Sequence, residues 1–265
     1  MIATGPWRAG AGECVGTCTG LRYFELLSEF YMAYRPTDEE RTDRELDFIL
    51  ARGVGDWSPR TRLVADVMSG PGRHALALGR RGWSVDAIDM DASLLGRLSR
   101  AADDLGVAVR TIKANVDTDS LQGSYEMVLC LGTSFGINAG RADAFRLIER
   151  MRDIMAPAAL LCTEIFCAEA RYAGVTQLDK VRAWPAGGSV SKRLVWDARA
   201  EVEHVLATIT GAGRRDRACY RQFVPRRDTM SALLRDAGLS EVRRYAGQDG
   251  WPTGDAALWT ARAPD

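Results

Sequence analysis

From residue 62 onward, apolar and polar positions follow two alternating rhythms. Short apolar runs near 62–67, 83–88, 108–113, 126–131 and 159–165 have the length and composition of buried strands. Between them, near 73–81, 92–104 and 141–155, apolar residues recur every three or four positions, as on the inner face of a helix. Gly82 and Gly106 stand where helix stops are expected. A further helix over 228–237 and strands near 241–246 and 256–262 bring the strands of this rhythm to seven. Strands that alternate with helices predict a mostly parallel sheet, doubly wound, with helices on both faces.

The rhythm breaks over residues 180–211. Ser189 to Trp196 and Glu201 to Ile209 alternate like antiparallel strands, with Ala198-Arg199-Ala200 as the turn. The expected fold class is therefore α/β, with a small antiparallel insertion after the fifth strand. Upstream, Leu21, Phe24, Leu27 and Tyr31 share one helical face. A second helix, capped by Thr37 or Asp38 and stopped by Gly53, turns Leu46, Ile49 and Leu50 inward. Residues 1–19 read as a flexible tail. The expected divisions are the tail 1–19, a helical lid 20–57, a core 58–175, the insertion 176–215 and the rest of the core 216–265.

Composition narrows the function classes. The 265 residues carry 35 Lys plus Arg and 35 Asp plus Glu, a formal net charge of zero. No basic excess points to nucleic acid. Arg214-Arg215 is too short for a phosphate-tracking stripe, and Arg226-Arg227 read as a solvated helix start. No apolar run reaches the length of a membrane span. Residues 1–20 lack the positive start and apolar core of a signal peptide, so a cytoplasmic location is the expectation. Of six cysteines, Cys130 and Cys162 fall within strand patterns and read as reduced core residues. Cys14 and Cys18 form a pair without a second pair or a nearby His, so no metal site is expected.

The candidate chemistry lies at Val64-Ala65-Asp66-Val67-Met68-Ser69-Gly70-Pro71-Gly72-Arg73-His74, a strand, a turn with two glycines and a helix start. Gly70 and Gly72 let the backbone bend sharply and approach a ligand closely. Asp89 closes the next strand 17 residues after Gly72, about where an acid reaches ribose hydroxyls. A dinucleotide fits if Ala75 fills the third small position. Against it, Asp66 would repel pyrophosphate and suits a ligand that carries an ammonium and a sulfonium.

These residues bring a resemblance into view. Residues 62–137 resemble the core of a class I S-adenosylmethionine-dependent methyltransferase, whose signature is an acid, glycines at alternate positions and an acid at the end of the second strand. Asp66, Gly70, Gly72 and Asp89 match it, while Met68 occupies the first glycine position. Ile112 to Val116 is similar to the third strand and the loop that meets adenine, with Asn115 where the family has Asp. Asn retains a carbonyl acceptor for the adenine amino group. Tyr125 to Gly136 resembles the fourth strand and the substrate-facing loop. Arg221 to Pro225, followed by Met230 to Leu239, is similar to the family's late helix and its glycine stop. The resemblance covers roughly 20–262, with specific motifs only in the first half.

The resemblance implies a Rossmann-like fold, S-adenosylmethionine as cofactor and S-adenosylhomocysteine as product. It implies a small-molecule acceptor, an amine or a hydroxyl of the kind methylated in natural-product biosynthesis, and inserted strands that either cover the active site or make the contact of a homodimer. Two other classes stay open: a cofactor-retaining protein with a non-methylating step such as cyclisation, and a non-enzymatic binding protein.

On the cofactor side the expected residues are Asp66, Met68, Gly70, Gly72, Asp89, Met90, Asn115, Val116 and Leu131. Asp66 orients an ammonium or is a strand-end turn acid. Met90 packs on adenine or in the core, and Asn115 meets adenine or caps a turn. On the substrate side stand Tyr23, Tyr31, Thr133, Ser134 and Phe135, with core packing the alternative for the two tyrosines and for Phe135. Glu164 and His204 are the candidate catalytic groups. Glu164 holds an amine or takes a proton, or else pairs with an arginine. His204 is a base or a structural histidine, and His74 reads as helix packing beside the cofactor loop.

Overall fold

The computed structural model describes residues 39–53, 63–137, 139–183, 187–211, 213–252 and 254–265. The expected tail, the helix over Leu21–Tyr34, the caps Thr37 and Asp38, and Tyr23 and Tyr31 lie outside the described residues. The second expected helix is present as α1 (Glu39–Gly53), ending at the predicted glycine.

The chain then alternates as its pattern predicts: β1 (Leu63–Val67), α2 (Arg73–Arg80), β2 (Ser84–Asp89), α3 (Ala92–Leu105), β3 (Val109–Lys113), β4 (Tyr125–Cys130), α4 (Arg141–Asp153) and β5 (Met155–Phe166). Asp91 caps α3 by accepting from the Ser93 and Leu94 N–H groups, and Gly106 ends it in the left-handed conformation. After a one-turn helix, α5 (Ala168–Arg171), come four antiparallel strands. They are β6 (Gln177–Ala183), β7 (Gly188–Asp197), β8 (Val202–Gly211) and β9 (Arg214–Phe223). The chain closes with α6 (Arg227–Asp236), β10 (Ser240–Tyr245) and β11 (Ala256–Arg262).

The main sheet has seven strands in the order β10-β11-β5-β4-β1-β2-β3. The pairings β2–β3, β1–β2, β1–β4 and β4–β5 are parallel, and β11 runs antiparallel to both its neighbours. Alternate side chains of each strand enter opposite layers. Val64, Met127, Leu129, Leu160 and Cys162 join Leu46, Ile49, Leu78, Leu95 and Leu98 from α1, α2 and α3. Ala65, Val67, Val128, Cys130, Leu161 and Ile165 join Leu147, Ile148, Met151, Met230 and Leu234 from α4 and α6. Cys130, Cys162 and Cys167 are buried free thiols.

The antiparallel segment is larger than its pattern suggests. It runs to Phe223 instead of stopping at 215, and Arg221 to Phe223 end a strand rather than leading into the late helix. β6 is exposed at nearly every position and β9 begins Arg-Arg-Asp-Arg, so neither shows the apolar alternation of β7 and β8. Residues 203, 205, 207 and 209 of β8 are buried on one face. That face also carries Tyr220 and Gln222 of β9, which lie opposite Val205 and Glu203.

Candidate active site

The order of the main sheet reverses at β1, which has β4 on one side and β2 on the other. Ligands of such sheets bind beyond the carboxyl ends of the strands at this reversal. Asp66 lies one residue from the end of β1 and is only 2% exposed. The Ala75 N–H donates to its carboxylate, yet Oδ2 is buried with no hydrogen-bond partner. Burial raises the carboxyl pKa to about 7, against the opposing pull of the Arg73 charge and the Ala75 N–H.

The loop that follows is left-handed at three alternate residues: Met68 (φ 57), Gly70 (φ 57) and Gly72 (φ 76). Met68 thus replaces the expected glycine and keeps its conformation, so the cradle retains its shape. A Cβ on Gly72 would stand 2.4 Å from the methyl groups of Leu98, so both φ and space demand glycine there. The Gly70 N–H donates to Asp89 Oδ2 at 2.7 Å and the Asp91 N–H to Asp89 Oδ1 at 2.9 Å. Asp89 is therefore pinned between the cradle and α3. Each of its oxygens keeps a further lone pair for an incoming hydroxyl. Burial raises its pKa, opposed by these N–H groups.

Met90 is 46% exposed beside Asp89, so the core alternative is set aside and its side chain borders the strand ends. Asn115 Oδ1 accepts from the Asp117 N–H at 3.0 Å and so caps a turn just beyond β3. Val116 and Leu131 are buried at the ends of β3 and β4, where their backbones border the site.

Beyond β4, Gly132 (φ 75) and Thr133 (φ 62) form a second left-handed turn. Gln222 Nε2 reaches across from β9 and donates to the Thr133 carbonyl at 2.8 Å and to the Phe135 carbonyl at 3.3 Å. Thr133 and Ser134 are half-buried at this contact. Phe135 is fully buried in the core, which removes it from the pocket wall.

Neither candidate base is open. Glu164 has no exposed surface. Its Oε2 accepts from the Gly132 N–H at 2.8 Å, and its Oε1 accepts from Trp251 Nε1 at 3.3 Å, with Arg41 Nη2 3.9 Å away. Its arginine-pairing alternative is the one seen, and its carboxylate anchors the loop after β4. His204 lies on the face of β8 opposite Glu203 and Val205, away from the side that carries Gln222. Burial lowers its pKa, opposed by the Asp197 charge.

The pattern analysis missed one cluster. Glu45 of α1 is fully buried and takes three partners: Arg41 Nε at 2.8 Å, Arg73 Nη1 at 2.6 Å and His74 Nε2 at 2.9 Å. Burial alone would raise the Glu45 pKa, but the His74 hydrogen bond and the Arg73 charge outweigh it and hold it at about 2. Burial lowers His74 to about 4 despite Glu45, so the ring is neutral and its Nε2 donates to the carboxylate. The signal was a carboxylate on the inward stripe of α1, among Thr42, Leu46 and Ile49. An acid at such a position calls for a buried partner. Among the described residues no group of three or more His, Cys, Asp or Glu side chains is placed to hold a metal ion.

The chain is similar to known proteins in sequence over one segment and in fold over most of its length. Residues 64–158 match the family described as a methyltransferase domain. A glycine/sarcosine N-methyltransferase of Parasynechococcus marenigrum is 32% identical over 106 residues, which span 36% of this chain and 37% of that protein. The CcbJ methyltransferase of Streptomyces caelestis superposes with a TM-score of 0.74 at 16% identity, over 90% of this chain and 96% of that one. An S-adenosylmethionine-bound amino pentose methyltransferase of Micromonospora echinaspora gives 0.63 at 17% identity, over 91% and 96%. Residues 64–158 are thus similar to a methyltransferase domain, and the chain has the Rossmann-like fold of the solved methyltransferases it matches, with an added antiparallel sheet.

Proposed function

We propose that the chain is an S-adenosylmethionine-dependent methyltransferase acting on a small molecule through an amine nitrogen. The observation that carries this reading is Asp66 Oδ2, a buried carboxylate oxygen without a partner at the strand end where a cofactor ammonium would lie. The bound cofactor would supply an activated methyl group on a sulfonium. Asp89 would accept from the ribose hydroxyls, Met90 would cover the adenine, and the Gly70–Gly72 cradle would admit close backbone approach. The loop at Thr133 and Ser134, held by Glu164 at the Gly132 N–H and by Gln222 at the Thr133 carbonyl, would set the acceptor in line.

The amine is favoured over the hydroxyl because the groups first in line as bases are engaged elsewhere. Glu164 is bonded through both oxygens, His74 serves Glu45, and His204 sits on the far face of β8. A neutral amine needs no base to attack, whereas a hydroxyl often does. The likeness to an amino pentose methyltransferase and to a glycine/sarcosine N-methyltransferase supports an amine, and the former suggests natural-product chemistry. A cytoplasmic location and a homodimer through the inserted strands complete the proposal. The edge strand β6, with Val181 75% exposed, is the surface that would pair. Sedimentation velocity measures that association.

The deciding experiment is calorimetric titration with S-adenosylhomocysteine, with NAD as control, followed by methyl-transfer assays on amines and their hydroxyl counterparts. Micromolar binding of S-adenosylhomocysteine alone, lost by about tenfold or more in Asp89→Ala, is the expected result. Binding without transfer to any acceptor would favour the non-methylating reading.

A further inference from the structure

The loop after β4 places a β-branched residue where such residues are rare. Thr133 has φ 62, in the left-handed region, directly after Gly132 at φ 75. For a threonine this is an outlier, and the left-handed conformation is disfavoured by roughly tenfold for a residue that carries a side chain. Strain of this kind persists where the surrounding structure over-determines it. The Thr133 hydroxyl donates to the Gly132 carbonyl at 2.6 Å, but that bond joins neighbours and does not tie the turn to the rest of the fold.

The tie comes from the inserted sheet. Gln222 of β9 is only 2% exposed, and its amide donates to the Thr133 carbonyl at 2.8 Å and to the Phe135 carbonyl at 3.3 Å. Its backbone is fixed as firmly. Ile137 bridges Gln222 as an antiparallel partner, and the Phe223 N–H donates to the Gly136 carbonyl at 2.9 Å. A Cβ on Gly136 (φ 78) would stand 3.0 Å from the Phe223 Cβ and 3.1 Å from its carbonyl oxygen, so glycine is what lets the loop lie this close to β9. On the neighbouring strand, Gln222 is opposite Glu203, which Arg171 and Tyr172 hold. A glutamine that merely satisfied buried carbonyls could do so for a relaxed loop. Here one of the two carbonyls belongs to the strained residue itself, so its release would free Thr133 to leave the left-handed region.

We infer that Gln222 is a positioning residue: by holding the Thr133 carbonyl it keeps the loop after β4 in a left-handed turn, and the acceptor nitrogen lies in line with the methyl group only while that turn is held. The inference rests on the methyltransferase reading and deepens it, since it makes the inserted sheet part of the machinery that aligns the acceptor. A small displacement of an aligned reactant costs rate much more than it costs binding. The cradle of β1 and Asp89 of β2 are outside this loop, so cofactor affinity is insulated from it.

The test compares the wild type with Gln222→Met, Gln222→Asn, Thr133→Gly and the double variant Gln222→Met/Thr133→Gly. Methionine keeps the size of glutamine without its donors, and asparagine keeps the amide but is one methylene too short to reach. Glycine adopts the left-handed turn without strain, so it removes the need for the clamp. Thermal melting checks that each variant folds. Three quantities are read: calorimetric affinity for S-adenosylhomocysteine, hydrogen exchange of the peptide over 131–137 with that ligand bound, and methyl transfer from S-adenosylmethionine to a panel of amines. Both Gln222 variants should bind S-adenosylhomocysteine within about twofold of the wild type, exchange faster over 131–137, and lose at least about tenfold in kcat with a smaller change in KM. With Thr133→Gly already present, the further loss from Gln222→Met should shrink to about twofold. An equal loss with threonine or glycine at position 133, unchanged exchange of the loop in both Gln222 variants, or cofactor affinity falling in step with kcat each overturns the inference and leaves the methyltransferase reading standing. A wild type that binds S-adenosylhomocysteine but methylates none of the amines overturns the aligning role together with amine transfer, while the exchange data still decide whether Gln222 clamps the turn.

Discussion

Met68 has φ 57, the conformation of a glycine, and a side chain half-buried against the core. A left-handed conformation costs an ordinary residue about 1–2 kcal/mol, and partial burial of a thioether chain returns about as much. Met68→Gly should therefore change stability by less than about 1 kcal/mol, strain relief offsetting lost packing. Met68→Val should cost about 2 kcal/mol or more, since a β-branched residue tolerates this region poorly. Urea unfolding of both variants measures the contrast, and equal losses would show that strain plays no part. At this scale the sequence was legible where one residue meets one backbone demand. Gly70, Gly72 and Asp89 could be named from spacing because strand, turn and acid are close in the chain. Arg73 could not, because the first residue of a helix is normally solvated, and only Glu45, distant in sequence, buries it. Glu164 was placed correctly at the end of β5, but its loss of basic freedom depends on Gly132 and Trp251, which no local pattern joins to it.

The inserted sheet is fixed to the core by a small number of charged contacts. Arg171 of α5 donates to Glu203 of β8 through Nε at 2.6 Å and Nη2 at 3.1 Å, and its Nη1 reaches Asp255. Tyr172 donates to Glu203 Oε2 at 2.6 Å and stacks on Trp196 of β7, and Lys180 of β6 reaches Asp255 at 2.7 Å. Arg171 and Glu203 are both buried, so removing Glu203 leaves Arg171 only Asp255 and strips Arg171 Nε, Arg171 Nη2 and the Tyr172 hydroxyl of their acceptor. Glu203→Leu is expected to cost about 3–5 kcal/mol in chemical denaturation. A loss under about 1 kcal/mol would reduce the pair to the worth of a surface bridge. The same variant should raise the KM for the acceptor more than it changes affinity for S-adenosylhomocysteine, because β9 carries Gln222 to the Thr133 loop while the cradle lies on β1. Helices and parallel strands were readable because each buries a periodic face. β6 and the first half of β9 bury little and are strands only through their neighbours, which is why the insertion looked shorter than it is.

Across the molecule, the buried charges around the cradle oppose one another as pH changes. His74 has a pKa of about 4 in the fold against 6.5 for the free group, so its contribution is complete above pH 6.5 and is lost as pH falls toward 4. Glu45, at about 2 against 4.5, contributes fully above pH 4.5 and loses that contribution as pH falls toward 2. Asp66 runs the other way. Its pKa is about 7 in the fold against 3.8, so its contribution is complete below pH 3.8 and disappears as pH rises through 7. From pH 7 down to about 4.5 the gain at Asp66 offsets the loss at His74, while below about 4 all that remains is loss. Asp66→Asn removes one side of this balance. The melting temperature of the variant minus that of the wild type should rise with pH from about 4 and level off above about 7, with the variant the more stable protein at pH 8. Bound S-adenosylhomocysteine should reverse the order, since an ammonium beside Asp66 stabilises its ionised form, and the variant should lose most of the ligand-induced rise in melting temperature. A difference that does not vary with pH would mean that Asp66 already has a partner in the folded protein. A flat difference would therefore undercut the assignment of the open carboxylate oxygen to the cofactor, whereas a rising one would show that the fold carries an unpaired charge above neutral pH, which a bound cation relieves.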